Sequence, residues 1–161
     1  MIFNSSINKG ISFGLTSATI TTLGLMVGLN AGTSSRLAVI GGVLTIAIAD
    51  AFSDALGIHI STEYENNATP RHVWEATIST FLAKFLFAMT FLVPLFLFSL
   101  STAVVISIFW GLFMLGVFSF KMARAQKMNP MEVVGEHLII AVAVVGITHL
   151  IGDWISANFA G

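Results

Sequence analysis

The chain has 161 residues, is 56% hydrophobic and only 9% charged, and has a mean hydropathy of +0.92. Soluble domains carry charge on about a quarter of their residues, so a soluble globular fold is excluded. A net charge of −1 with no basic run argues against a nucleic-acid partner, and the lack of cysteine excludes disulfides, thiolate metal sites and iron–sulfur ligation. The pattern predicts an all-α membrane protein with five transmembrane helices in a single domain, 1–161.

The opening MIFNSSINKG lacks the zones of a signal peptide, so the first span is expected to be retained. That span is predicted over about 11–29. Small hydroxyls fill its first half, and Gly24, Gly28 and Gly32 stand four apart in the second, a row that lets another helix approach closely. A short loop leads to a second span over 37–61. A polar insert, 62–77, is expected to lie on the cytoplasmic side, with Pro70 breaking the helix. The third span is predicted over 78–98 and contains Pro94, which membrane helices tolerate. A short uncharged turn leads to a fourth span over 103–120. The connector then carries Lys121, Arg124 and Lys127, and a fifth span covers 133–157.

Basic residues orient the bundle. Lys9, Arg71, Lys84, Lys121, Arg124 and Lys127 fall on one side and only Arg36 on the other, which predicts a cytoplasmic N-terminus and an external C-terminus. Lys84 is expected to snorkel back to the cytoplasmic surface. The expected location is the cell membrane, as a multi-pass protein in contact with the lipid bilayer.

The second span carries the sharpest signal. Asp50 and Asp54 lie near its middle and four apart, hence on one helical face. On insertion scales the two aspartates cost roughly 5–7 kcal/mol, against roughly 3–7 kcal/mol recovered by the large apolar residues of the segment. Such a helix should turn its carboxyl face into the bundle or a polar path. Two close carboxylates in low dielectric do not both stay ionised easily unless a cation sits between them. This is the logic of a proton-coupled cation site, and oxygen ligands suit hard or borderline divalent ions. The alternative is that the acids only bond to hydroxyls of the first span and hold the bundle together.

Three further groups are weaker. His149 and Asp153, four apart in the last span, form a possible relay or an ordinary solvated pair. His59 and Glu63 share a face at the cytoplasmic end of the second span and are candidates for a metal-receiving vestibule. The glycine row is a candidate seam for a homodimer. No hydrolase or phosphate-loop motif occurs, so no enzyme activity is expected.

These residues resemble the vacuolar iron transporter family, which moves Fe²⁺ and Mn²⁺ in exchange for protons. FGLTSATITTLGLMVGL is similar to the family's Gly-x-Asn-Asp-Gly-Leu-x-Thr-Thr run, with Gly14, Thr21, Thr22 and Gly28 in register. ADAFSDALGIHIS is similar to Ala-Gly-Ala-x-Ser-Met-Ala-x-Gly-Glu-Tyr-x-Ser, matching at Ala49, Ala51, Ser53, Ala55, Gly57 and Ser61. The Pro94 region and Ile147–Gly152 resemble the later helices. There are departures. The family's first-helix aspartate falls on Ser17, its methionine ligand on Asp54, its glutamate on Ile58 and the adjacent tyrosine on His59. Its metal-gathering domain shrinks to 62–77, and Asn4, Ser5, Ser6 and Asn8 replace the acids before the first helix.

The resemblance implies a homodimer with the ion path between subunits, and it favours the glycine row of the first helix as the seam. The expectation is a proton-coupled transporter of a divalent metal ion, Fe²⁺, Mn²⁺ or Ca²⁺, with no tightly bound cofactor. Asp50 and Asp54 are its expected central ligands, Ser17 and Thr21 secondary ligands, and His59 and Glu63 the vestibule. The rival expectations are a scaffold or interaction protein that keeps the fold without transport, and a carrier of another cation.

Overall fold

The computed structural model describes residues 5–66 and 68–159, so Asn4 lies outside the described residues. Six helices follow in order: α1 (Ser5–Thr33), α2 (Arg36–Glu63), α3 (Pro70–Thr90), α4 (Leu92–Leu97), α5 (Leu100–Ala125) and α6 (Pro130–Phe159). No strand occurs among the described residues. With α3 and α4 taken as one interrupted rod, five helices are long and apolar enough to cross a membrane. This is compatible with a multi-pass integral membrane protein.

The helix ends follow from local chemistry. Ser35 caps α2 by accepting a hydrogen bond from the Ala38 amide. Thr69 does the same for α3 through the His72 amide, and Pro70 takes the first helical position, where its missing N–H costs nothing. Pro70 therefore starts a helix, whereas the sequence reading used it as a break within a long insert. Only 64–69 remain as the connector, and the third span begins eight residues earlier than predicted, at Pro70 instead of 78. The α3/α4 break falls at Phe91, one turn before Pro94, which cannot donate to the Thr90 carbonyl.

The first helix is the hub. It packs most extensively on α3, then on α6, α2 and α5. Leu15, Ala18, Leu23 and Met26 of α1 meet Val39 and Val43 of α2 and Phe87, Phe91 and Leu95 of the third rod in the main core. Small residues make the close contacts possible. A Cβ on Gly10 would meet the Ala76 carbonyl oxygen at 2.5 Å, and one on Gly14 would meet the Thr80 carbonyl oxygen at 2.7 Å.

The glycine row is likewise used inside the subunit. Gly24 and Gly28 face Val144 and Thr148 of α6, and Gly32 faces Gly152. The row is therefore not a free seam for a homodimer. It is the seat of α6, whose outer face is otherwise largely uncovered.

Ionic contacts tie the two ends of the bundle. Lys9 bonds Glu65 and Thr62, joining the start of α1 to the end of α2. At the other end Arg36 donates to the carbonyl of Phe98, the residue whose own amide closes α4 by donating to the Pro94 carbonyl.

Candidate functional site

The candidate site forms where α1, α2 and α3 meet, and a lysine occupies its centre. Asp54 is nine residues from the end of α2, about 14 Å along the axis, and Lys84 is fourteen residues from the start of α3, about 21 Å. Both depths are measured from the same end of the bundle. Helical side chains lean toward their own N-terminus, and the two helices run in opposite directions. The Asp54 and Lys84 side chains thus lean toward each other and close the gap.

Lys84 Nζ donates to Asp54 Oδ2 and to Ser17 Oγ, the latter at 2.8 Å. It also stands 2.5 Å from Asp50 Oδ2. That second carboxylate contact is an ion pair without a directed hydrogen bond, and Asp50 Oδ2 is buried with no hydrogen-bond partner among the described residues. The Lys84 side chain is 2% exposed, while those of Asp50 and Asp54 keep 26% and 18% of their surface. The acids thus form the open edge of the site and the ammonium its floor.

Lys84 does not snorkel to the surface, contrary to the sequence expectation. The eight extra residues at the start of α3 carry it about 12 Å deeper than predicted, beyond the reach of its own side chain. Its depth is what sequence reasoning missed. The available signal was Pro70 followed, fourteen positions on, by a lone lysine within an apolar helix.

The other predicted residues are distributed as follows. Ser17 joins the site. Thr21 is not among the triad's polar partners, and its hydroxyl donates to the Ser17 carbonyl of its own helix at 2.9 Å. His59 and Glu63 pair at 3.5 Å, lower on α2 and separate from the triad. Thr77 Oγ1 donates its one hydrogen to the Val73 carbonyl, so the 2.9 Å contact from His59 Nδ1 to that oxygen makes Nδ1 the donor. His149 and Asp153 lie 3.5 Å apart on α6, each 56% exposed. That helix packs on α1 and α5, and no member of the triad belongs to it.

Among the described residues, no group of three or more His, Cys, Asp or Glu is gathered tightly enough to hold a metal ion. The expected set of Asp50, Asp54, Ser17, Thr21, His59 and Glu63 is therefore not assembled as one ligand shell. The place that a divalent ion would take between the two acids is filled by the Lys84 ammonium.

The fold and site define a helical protein with five helices long and apolar enough to cross a membrane, and with a triad of two partly exposed carboxylates on one buried ammonium. No family model matches the chain, and no curated protein matches it.

Proposed function

We propose that this chain is a multi-pass protein of the cell membrane that exchanges protons for a cation at the Asp50–Asp54–Lys84 triad. The observation that carries this reading is the charge imbalance of the triad. With all three groups ionised the site holds one unit of net negative charge, two carboxylates against one ammonium. Intramembrane ionisable residues mark ion and proton paths more often than not, because leaving a charge unbalanced in low dielectric is costly. One proton or one monovalent cation makes this site neutral. A monovalent cation is therefore the cargo that the site fits best.

A divalent ion such as Fe²⁺, Mn²⁺ or Ca²⁺, as the resemblance to the iron transporters implies, fits only if Lys84 first leaves the carboxylates or loses its proton. Entry of the metal would then be coupled to displacement of the ammonium. The chain is oriented with its N-terminus cytoplasmic. With Lys84 in mid-span, Lys9, Arg71, Lys121, Arg124 and Lys127 stand at one end of the bundle and Arg36 at the other, five against one.

The reading includes a homodimer, with its seam moved from the glycine row to α2. Gly41, Thr45, Ala49, Ser53 and Gly57 recur every four residues on α2 and are all exposed. A Cβ on Gly41 or Gly57 would meet nothing within 4 Å. Ser53 and the open edges of Asp50 and Asp54 lie at hydrocarbon depth, where polar groups need cover. A second copy packing small residue against small residue supplies it.

A scaffold without transport is the second reading. It is favoured by the pairing of both acids with Lys84 alone among the described residues, a geometry that counts against transport, and by the way the triad and Ser17 brace three helices at once. Proteoliposomes loaded with a pH dye separate the two. Flux of Na⁺, K⁺, Fe²⁺, Mn²⁺ or Ca²⁺ accompanied by proton movement, and lost in Asp54→Asn, supports transport. A folded protein that moves none of these ions or protons supports the scaffold.

A further inference from the structure

A second site lies on the opposite edge of the buried stripe of α2, away from the acids. There α2 and α3 part to leave a lateral groove of about 450 Å³, lined by Phe52, Leu56, Trp74, Ile78, Phe81 and Leu82. Its walls are stiff and aromatic, with the Phe52 and Phe81 rings 4.7 Å apart. Toward the α2–α3 connector the groove ends at His59 and Trp74, which meet edge to face at 5.0 Å. A hollow of about 310 Å³, more polar than the slot, begins at the same two residues and is bounded by Glu63 and Thr69. An apolar slot and a more polar hollow therefore adjoin at one pair of rings.

That arrangement matches an amphipathic molecule lying along the helices, with its chain in the slot and its head in the hollow. The charge of the hollow selects the head. Among the described residues that line it, Glu63 is the one carboxylate, its side chain 58% exposed and 3.5 Å from His59 Nε2, and neither Lys nor Arg is present. The nearby Lys9 and Arg71 are engaged by Glu65 and Glu75. A tryptophan beside a carboxylate favours a cationic ammonium over an anion, through the negative face of its ring. We propose that this groove holds a phospholipid with an ammonium head, its acyl chain lying along the wall that Phe52 and Phe81 form and its amine at Glu63. The inference is independent of the triad and of transport.

The test uses the single tryptophan inside the groove as its reporter. In the full-length chain carrying Trp110→Phe and Trp154→Phe, Trp74 is the only indole left. The protein is placed in phosphatidylcholine-free vesicles of phosphatidylethanolamine and phosphatidylglycerol at equal fractions, with acyl chains brominated on one lipid or the other. Brominated phosphatidylethanolamine should quench Trp74 as if bound about two- to fivefold more tightly than brominated phosphatidylglycerol, the range that an exposed charge pair supplies. Glu63→Gln should bring the two lipids level. Filling the slot with Leu56→Trp is avoided because it adds a second emitter; Leu82→Phe should instead lower quenching by both lipids. Equal quenching by both lipids in the parent protein, or stronger quenching by phosphatidylglycerol, overturns the proposal. So does an unchanged preference in Glu63→Gln.

Discussion

Lys84 Nζ touches both acids of α2 but bonds them unequally: it donates a hydrogen bond to Asp54 and makes only an ionic contact with Asp50. The inequality separates their roles. Asp54 holds the ammonium by a directed hydrogen bond, and Asp50 adds an ion pair with the same nitrogen.

The first prediction concerns stability. Lys84→Met leaves two carboxylates without their counter-charge, and breaking a buried pair in this way costs about 3–5 kcal/mol. Thermal unfolding in detergent should show that loss. Adding Asp50→Asn and Asp54→Asn to Lys84→Met removes the stranded charges and should restore most of it, because an apolar or neutral replacement of the whole group is tolerated far better than half of it. The same triple variant should be silent in the flux assay.

The glycine contacts give a second prediction. A Cβ on Gly152 would stand 2.5 Å from the Gly28 carbonyl oxygen, and backbone cannot swing aside as a side chain can. Gly152→Ala should lift α6 from α1 and destabilise the fold by about 1–3 kcal/mol. Gly146→Ala, on the exposed face of α6, meets nothing within 4 Å and should change stability by less than about 1 kcal/mol. Paired melting curves of the two variants check the contrast.

A third prediction tests the α2 seam. The chain has no cysteine, so Ser53→Cys introduces a unique thiol on the exposed small-residue face. Mild oxidation in membranes should give a crosslinked dimer through Cys at 53. A cysteine in place of Gly28, which faces α6, should not crosslink.

Much of the fold was legible because five long apolar runs separated by polar or turn residues leave little other choice. The pairing of Asp50 with Asp54 on one face was also legible, since it depends only on helical periodicity. The missed part traces to one proline. Read as a breaker, Pro70 puts Lys84 near a surface. Read as the first residue of a Thr69-capped helix, it sends the same lysine to mid-depth and into the acids. Periodicity along single helices also could not say that Gly24, Gly28 and Gly32 would be covered by α6, because partner choice depends on how helices far apart in the chain pack.

A fourth prediction concerns metal. Because the ammonium occupies the place between the acids, millimolar Mn²⁺ or Ca²⁺ should not raise the unfolding temperature of the parent protein. Lys84→Gln vacates that place while keeping a polar side chain, and it should gain a metal-dependent stabilisation that Asp54→Asn abolishes. Calorimetric melting with and without each ion checks both statements.

The most direct test is the charge balance of transport. In proteoliposomes with the membrane potential clamped at several values, uptake of a monovalent cation and release of protons are recorded together. The account predicts one proton out for each cation in, at a rate indifferent to the clamped potential, and no exchange in Asp54→Asn. Exchange that persists unchanged in Asp54→Asn, or cation movement with no proton counterflow, would contradict it.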